Sequence, residues 1–287
     1  MDLLLYLSIG FIIHVFILLI VYQKKFLRWP DGIIIAALIS LVIFIANFIY
    51  WIILFSFFIP ASVLTKANLE RKKNKIISEK TGNRDALQVI SNSLGLFIFA
   101  LAQLVYSGIN GGIMLIYLFS GTIFIASASA DTWSTEIGTL NNSDPRYILN
   151  LRKKVPKGTS GGVSLLGNLG GLIGSSLISI ILITSLAFAG ILANLREILN
   201  IFIFITLLGF LGQILDSLLG ALLQNKYYCP ICKLNVEEDR HVICNSQNLK
   251  KIKKYTFLNN NTVNVTSNMC LSLVGFLLII IIHFNPN

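Results

Sequence analysis

Three acidic residues stand inside apolar runs, where a carboxylate is hardest to keep. The stretch "IASASADTWSTEIG" carries Asp131 and Glu136, and "GFLGQILDSLLGALLQ" carries Asp216. An ionised group in such a run is neutralised or paired. Asp216 sits about seven residues, roughly 10 Å, inside the end of its run, with no basic residue near it in sequence. It therefore requires a metal ion or a hydrated cavity. Asp131 and Glu136 fall at the C-terminal end of their run, where the helix dipole disfavours negative charge and a divalent cation is the natural counter-charge. On a regular helix the two point about 140° apart, so they share a ligand only where the helix ends or loosens. The plainer alternative is a helix end dipping into solvent.

A second set suits anions. In "VPKGTSGGVSLLG", Gly158, Gly161 and Gly162 with Thr159, Ser160 and Ser164 precede an apolar run, an arrangement that offers backbone N–H and hydroxyl donors to a phosphate at a helix start. Lys157, with Arg152, Lys153 and Lys154, supplies charge, and because this lysine precedes the glycines the stretch is not a Walker A loop. Further on, Gly167, Gly170, Gly171, Gly174 and Ser175 read as a small-residue face for helix packing. Arg84, Gln88 and Asn92 form an i, i+4, i+8 stripe, and so do Asn260, Asn264 and Asn268. The first has an alternative as a helix start capped by Asn83 with Asp85 in its first turn, and the second as a polar linker. Taken together, the stripes predict one water-accessible cavity handling a phosphate and a divalent cation.

The loop "YYCPICKLNVEEDRHVICNSQ" holds Cys229, Cys232, His241 and Cys244 as C-x2-C-x8-H-x2-C, the paired ligand spacing of a structural Zn²⁺ site closed by four protein ligands. A redox role and four unliganded residues are the alternatives. Cys270 reads as a packing residue, and His14 and His283 as isolated.

These residues need a scaffold, and composition names it. The chain is 55% hydrophobic and 13% charged, with mean hydropathy +0.76, far from the roughly 25% charge of soluble domains. Runs near 3–22, 32–47, 48–65, 87–106, 112–130, 162–187, 199–223 and 267–284 predict an all-α polytopic membrane bundle of about eight helices. The first is read as a retained helix, since no small-residue cleavage site follows it. The run from 31 to 65 is too long for one crossing and is expected to turn back at Asn47. With that hairpin, every Lys and Arg except Arg196 falls on one side, which the positive-inside rule makes cytoplasmic. Both termini are then extracytoplasmic. The net charge of +10 has a topological explanation and an anionic substrate as its alternatives. Without a soluble domain to present a basic surface, nucleic acid is not expected as a partner.

The elements "NRDALQVISN", "ADTWSTEIG", "PRYI", "VPKGTSGGVSLLG", "LDSLLGA", the C-x2-C with its later His and Cys, and "NNTVN" resemble, in order from about residue 60 onward, the motif series of the DUF92 membrane proteins. That family includes the plant phytyl-phosphate kinase and the animal transmembrane protein 19 group. The resemblance implies N-terminal helices over 1–65 and a catalytic membrane core over 66–287, including the Cys/His loop at 225–258. It implies transfer of a phosphoryl group from a nucleotide, CTP for preference, to a phytyl or other prenyl monophosphate. Asp131, Glu136 and Asp216 would be the Mg²⁺ or acceptor-side acids; Gly158, Thr159, Gly161, Gly162 and Ser164 would cradle phosphates; Arg84, Gln88, Asn92, Asn260 and Asn264 would bind nucleotide or phosphate. The chain departs from many relatives at Asn259, where they carry an acid. The rivals are a cytidylyltransferase, which would release pyrophosphate and give a CDP-lipid, and a transporter of an anionic substrate, for which no internal repeat is found. The oligomeric state is left open, a homodimer being one option.

Overall fold

Long runs of Leu, Ile, Val and Phe can satisfy their backbone hydrogen bonds in hydrocarbon as helices, and the chain does so. The computed structural model describes residues 3–72, 83–106, 111–192, 194–231, 234–236, 249–252 and 258–284. Its helices are α1 (Leu3–Gln23), α2 (Asp31–Ala46), α3 (Phe48–Lys72), α4 (Ala86–Val105), α5 (Gly111–Gly138), α6 (Leu165–Phe188), α7 (Leu195–Leu223) and α8 (Asn260–Phe284). Among the described residues, six helices, α3 to α8, are long and apolar enough to cross a membrane. The fold is an all-α polytopic bundle.

The expected break at Asn47 is present. Its backbone is extended between α2 and α3, and its Oδ1 accepts from the Ile49 N–H at 2.8 Å. Ala36 and Ile39 on one side of it, and Leu54 and Phe58 on the other, line the same cavity, so the chain doubles back there.

At the centre stands α5, against α3, α4, α6, α7 and α8. Its middle is built from small residues, and Ser127, Ala128, Ser129 and Ala130 are all buried. The glycine face of α6 closes on it: a Cβ at Gly174 would lie 2.8 Å from the Ser129 carbonyl, and the Ser129 hydroxyl donates to the Gly174 carbonyl at 2.9 Å. Packing is thus the role of that run.

Helix ends differ from expectation in ways that matter for the site. α5 continues to Gly138 instead of stopping near 130, and α8 starts at Asn260, so the asparagine stripe is helical and not a linker. Asp85, not Asn83, caps α4, accepting from the Gln88 N–H; its carboxylate sits one residue before the helix, where that N–H is in reach. Cys270 is exposed on the outer surface of α8 and does not pack inside.

Among the described residues, the strands lie in two loops at the same end of the bundle. β1 (Arg146–Tyr147), β2 (Asn150–Lys154) and β3 (Gly162–Val163) form an antiparallel sheet in the order β2-β1-β3 between α5 and α6. β4 (Tyr227–Cys229), β5 (Leu234–Val236) and β6 (Lys250–Lys251) form another, in the order β5-β4-β6, between α7 and α8.

Candidate functional site

The polar residues of α5, α7 and α8 meet in two successive layers. In the first, Ser127 donates to Asn268 Oδ1, and Gly212 fits against Ser127 so closely that a Cβ there would come within 1.8 Å of its hydroxyl. One turn, about 6 Å, towards the loop-bearing end, the same faces carry Asp131, Asp216 and Asn264. Asp216 Oδ2 accepts from the Ser267 hydroxyl at 3.0 Å. With its amide oriented to suit its neighbours, Asn264 donates to Asp216 Oδ2 at 2.9 Å and to the Asn260 carbonyl at 3.0 Å. Two donors to one carboxylate oxygen fix the position of the acid.

Beside these layers lie amides with unused capacity. Gln213 is 1% exposed and donates weakly to Asn168 Oδ1 at 3.4 Å; among the described residues its Oε1 has no hydrogen-bond partner, nor does Asn268 Nδ2. Buried polar atoms left so are costly, and a bound polar ligand or water is their ordinary explanation.

The glycine loop docks on the last turns of α7. Gly161 has φ +81°, and a Cβ there would lie 2.5 Å from Ala221 Cβ, so this position combines a left-handed backbone with close approach. Tyr147 donates to the Ala221 carbonyl at 3.1 Å, Ser160 donates to Gln224 Oε1 at 2.7 Å, and Lys226 Nζ donates to the Ser160 carbonyl at 3.1 Å. Gly158 (φ +82°) lies in an open turn, where a Cβ would meet nothing within 4 Å among the described residues. Lys157 donates to the Asn141 carbonyl, and Arg152 is exposed on β2. Burial raises the Tyr147 phenol above its usual pKa.

Several members of the phosphate set have other occupations. The Gly162 N–H donates to the Thr159 carbonyl at 2.8 Å, and Gly162 belongs to β3. Ser164 is the N-cap of α6, accepting from the Gly167 N–H at 3.0 Å. The helix begins at Leu165, three residues later than expected, because the chain first pairs with β1.

Glu136 does not join Asp131. Because α5 stays helical through both, the separation of about 140° persists. Glu136 instead faces α3, where the Asn68 amide donates to its Oε2 at 3.0 Å and to its carbonyl at 2.9 Å. Glu136 is thus corrected out of the expected set of three acids, while Asp131 and Asp216 stand at one level of the bundle by helix register. Among the described residues no set of three or more His, Cys, Asp or Glu gathers to hold a metal.

The Arg84 stripe lies on the α2–α3 side. The Arg84 N–H donates to the Phe26 carbonyl, and its carbonyl accepts from the Arg28 N–H. Its guanidinium lies over the rings of Phe57 and Phe58 at 5.3 and 5.4 Å. Burial lowers its pKa to about 10, with the charge of Glu136 acting the other way. Arg84, Gln88 and Asn92 line a cavity between α1, α2, α3 and α4.

Of the zinc set, Cys229 is buried at the end of β4, opposite Leu234. Cys232, His241 and Cys244 lie outside the described residues. His14 is buried and accepts from Trp51 Nε1 at 3.1 Å, away from the site.

Asn68, Asn168 and Ser267 belong to these arrangements without having been singled out from sequence. Asn68 followed the expected end of α3, and Asn168 is hidden in the glycine run. Ser267 had a signal, since it stands three residues after Asn264 on one helix face.

The comparisons with known proteins agree on kinship. No solved structure matches this chain. Protein PGR of Arabidopsis thaliana is 30% identical over 258 residues, covering 86% of each chain. An uncharacterized membrane protein of Methanocaldococcus jannaschii is 32% identical over 216 residues, 75% of this chain and 82% of the relative. One from Synechocystis is 27% identical over 183 residues, 62% of this chain and 64% of the relative. The family model described as integral membrane protein DUF92 matches residues 12–272. With most of its length inside that match, the chain belongs to the DUF92 family of integral membrane proteins.

Proposed function

We propose that this protein is a membrane-embedded prenyl-phosphate kinase, transferring the γ-phosphoryl group of a nucleotide, CTP for preference, to a phytyl or other prenyl monophosphate. The observation that carries the reading is Asp216. It is an intramembrane carboxylate fixed by Ser267 and Asn264, one residue before Ser217, whose carbonyl Gly161 approaches. The motif resemblance supplies the reaction class.

In that reaction an oxygen of the acceptor's phosphate forms the new bond to the γ-phosphorus while the bond from the γ-phosphorus to the β-bridging oxygen breaks. The nucleoside diphosphate leaves with that oxygen, and the product is the prenyl diphosphate. Such transfer needs positioning and charge neutralisation more than covalent help from the protein. The Gly158–Ser164 loop and Lys226 hold the donor's phosphates, and the amides of Gln213, Asn264 and Asn268 orient oxygen atoms. The donor set fits Mg²⁺, which takes one or two carboxylates together with substrate oxygens and water. Asp131 and Asp216 would hold it, and it would neutralise charge on the phosphate oxygens.

The same reading assigns residues 66–287 as the catalytic core and puts the loop-bearing end in the cytoplasm, with both termini outside. Cys229, Cys232, His241 and Cys244 would close a structural Zn²⁺ site, and metal analysis of the purified protein, with and without the Cys232→Ser change, tests it. Stoichiometric zinc lost in the variant supports the site, and its absence from the wild type overturns it.

The decisive assay is purified protein in detergent with labelled CTP or ATP, Mg²⁺, and phytyl or geranylgeranyl phosphate. Diphosphate lipid with CDP or ADP is expected. Pyrophosphate with a CDP-lipid would make the protein a cytidylyltransferase, and no transfer to any prenyl phosphate removes the kinase reading.

A further inference from the structure

The cavity between α1, α2, α3 and α4 is two-natured. The space between its walls, counting the open mouth, is about 510 Å³. Most of its wall is apolar, including Leu18, Ile39, Leu54 and Phe55. Five polar residues interrupt that wall: Ser40, Arg84, Gln88, Asn92 and Ser93. The two serines are satisfied by their own helices, Ser40 donating to the Ala36 carbonyl and Ser93 to the Val89 carbonyl. The other three are different. Among the described residues, no hydrogen bond engages the side chains of Arg84, Gln88 or Asn92.

A guanidinium is always charged and carries five donors in a fork that matches phosphate. Keeping one half-buried against two phenyl rings without an acceptor is costly, and an anion in the cavity would relieve that cost. Other charges nearby do not take its place. Asp31 and Asp85 are spent on the start of α4, accepting from the N–H groups of Ala86 and Gln88, and Arg28 balances both at 2.7 and 3.9 Å. Glu136 steadies the charge of Arg84 from a distance, while its Oε2 is held by Asn68. The N–H groups of Ala86 and Gln88 are thus taken, and the donors that line the cavity are the three side chains.

We infer that this cavity is the seat of the acceptor lipid: the apolar chain of a prenyl monophosphate lies among α1, α2 and α3, and its phosphate is held by Arg84, Gln88 and Asn92. The inference rests on the kinase reading for the identity of the lipid, and it assigns these three residues to the acceptor and not to the nucleotide. Helix register brings the two substrates within reach. Gly95 of α4 touches Phe124 of α5; seven residues towards the loop-bearing end on each helix, about two turns, stand Gln88 and Asp131. The head of the acceptor would then meet the donor's phosphates across the junction of α4 and α5.

Binding is measured on purified protein in detergent with tritiated geranylgeranyl monophosphate, without nucleotide or Mg²⁺. Geranylgeraniol, inorganic phosphate and dioleoyl phosphatidic acid serve as competitors. The monophosphate is expected to bind at least tenfold more tightly than any of the three. Arg84→Gln should erase the preference for the ester over the alcohol, and Ala36→Phe should weaken ester and alcohol alike by filling the chain site. If Arg84→Gln fails to fold, Gln88→Leu and Asn92→Leu carry the same comparison. Wild-type affinity in both the head and the chain variants overturns the assignment, as does inorganic phosphate or phosphatidic acid binding as tightly as the prenyl ester. Binding that follows this pattern with no transfer once CTP and Mg²⁺ are added would overturn the kinase reading and leave the lipid site standing. Transfer that ignores Arg84, Gln88 and Asn92 would do the reverse.

Discussion

The two halves of the bundle are held together by different means. From α5 to α8, helices meet through small residues and hydrogen bonds between neighbours: Thr206 to Ser179 at 2.9 Å, Ser272 to the Ser120 carbonyl at 2.6 Å, and the Asp216 cluster. From α1 to α4 the contacts between helices are largely aromatic, as where Trp51 of α3 meets Phe44 of α2 at 5.9 Å and His14 of α1 at 6.2 Å. Close backbone approach fixes helices to fractions of an ångström, whereas large rings packed around a void leave room for an apolar guest. The first half is therefore suited to hold reacting groups in register and the second to admit a lipid.

The largest effect that would sharpen this contrast comes from the acids. Asp216→Asn and Asp131→Asn are each expected to lower the rate of transfer by a factor on the order of 10³, the scale seen when a group that stabilises the transition state is lost, while the protein remains monodisperse. Glu136→Gln, on the other face of α5, should change it no more than about threefold, since that acid answers to Asn68 and Arg84 and not to the reacting phosphates. Equal losses in all three variants would erase the distinction between the two faces of α5.

Packing gives the next test. Gly212→Val forces a side chain against Ser127, where even a Cβ would sit 1.8 Å from the hydroxyl, and overpacking of this kind costs about 1–3 kcal/mol. Ala36→Val adds two carbons beside the cavity where Gly212→Val adds three, and should cost less than half as much. The two thermal melting curves in detergent decide it: equal shifts would mean that the α1–α4 half is as tightly packed as the other.

Much of this was legible in the chain. Eight apolar runs marked the helices, and the turn at Asn47 followed from length and charge parity. Asp131 and Asp216 stood out because a carboxylate has few reasons to be in such a run. The rest depended on which faces pair across helices distant in sequence. Glu136 could be set against Asp131 only once α5 was known to continue past both, since an angle of about 140° closes if a helix frays. The caps were misplaced for a related reason: Asn83 and Asp85 are both good capping residues, and the choice is made by the α1–α2 loop, whose Phe26 carbonyl and Arg28 N–H bond Arg84 and set where the helix begins.

That clamp yields a smaller prediction on the aromatic side. Asp31 Oδ2 accepts from the Ala86 N–H at 3.1 Å, tying α2 to the start of α4, and Asp31→Ala should loosen that first turn. Hydrogen exchange at residues 86–89 reads it. Unchanged protection there would mean that Asp85 alone sustains the start of α4.

Ser164 is the finest test, because it separates two roles of the glycine loop on the α5–α8 side. Its hydroxyl oxygen accepts from the Gly167 N–H, so as a cap it can be replaced by Asp, an equally good N-cap, with little loss, while Ala should cost about 1 kcal/mol or less. Phosphate binding ranks the same substitutions the other way, since a carboxylate beside the donor's phosphates repels them and a methyl group does not. Melting temperature should therefore fall for Ser164→Ala and hold for Ser164→Asp, while KM for the nucleotide rises for Ser164→Asp and barely moves for Ser164→Ala. If Ser164→Ala raises KM without lowering the melting temperature, the hydroxyl serves the phosphate, and the rigid half of the bundle extends its chemistry one residue further into the loop.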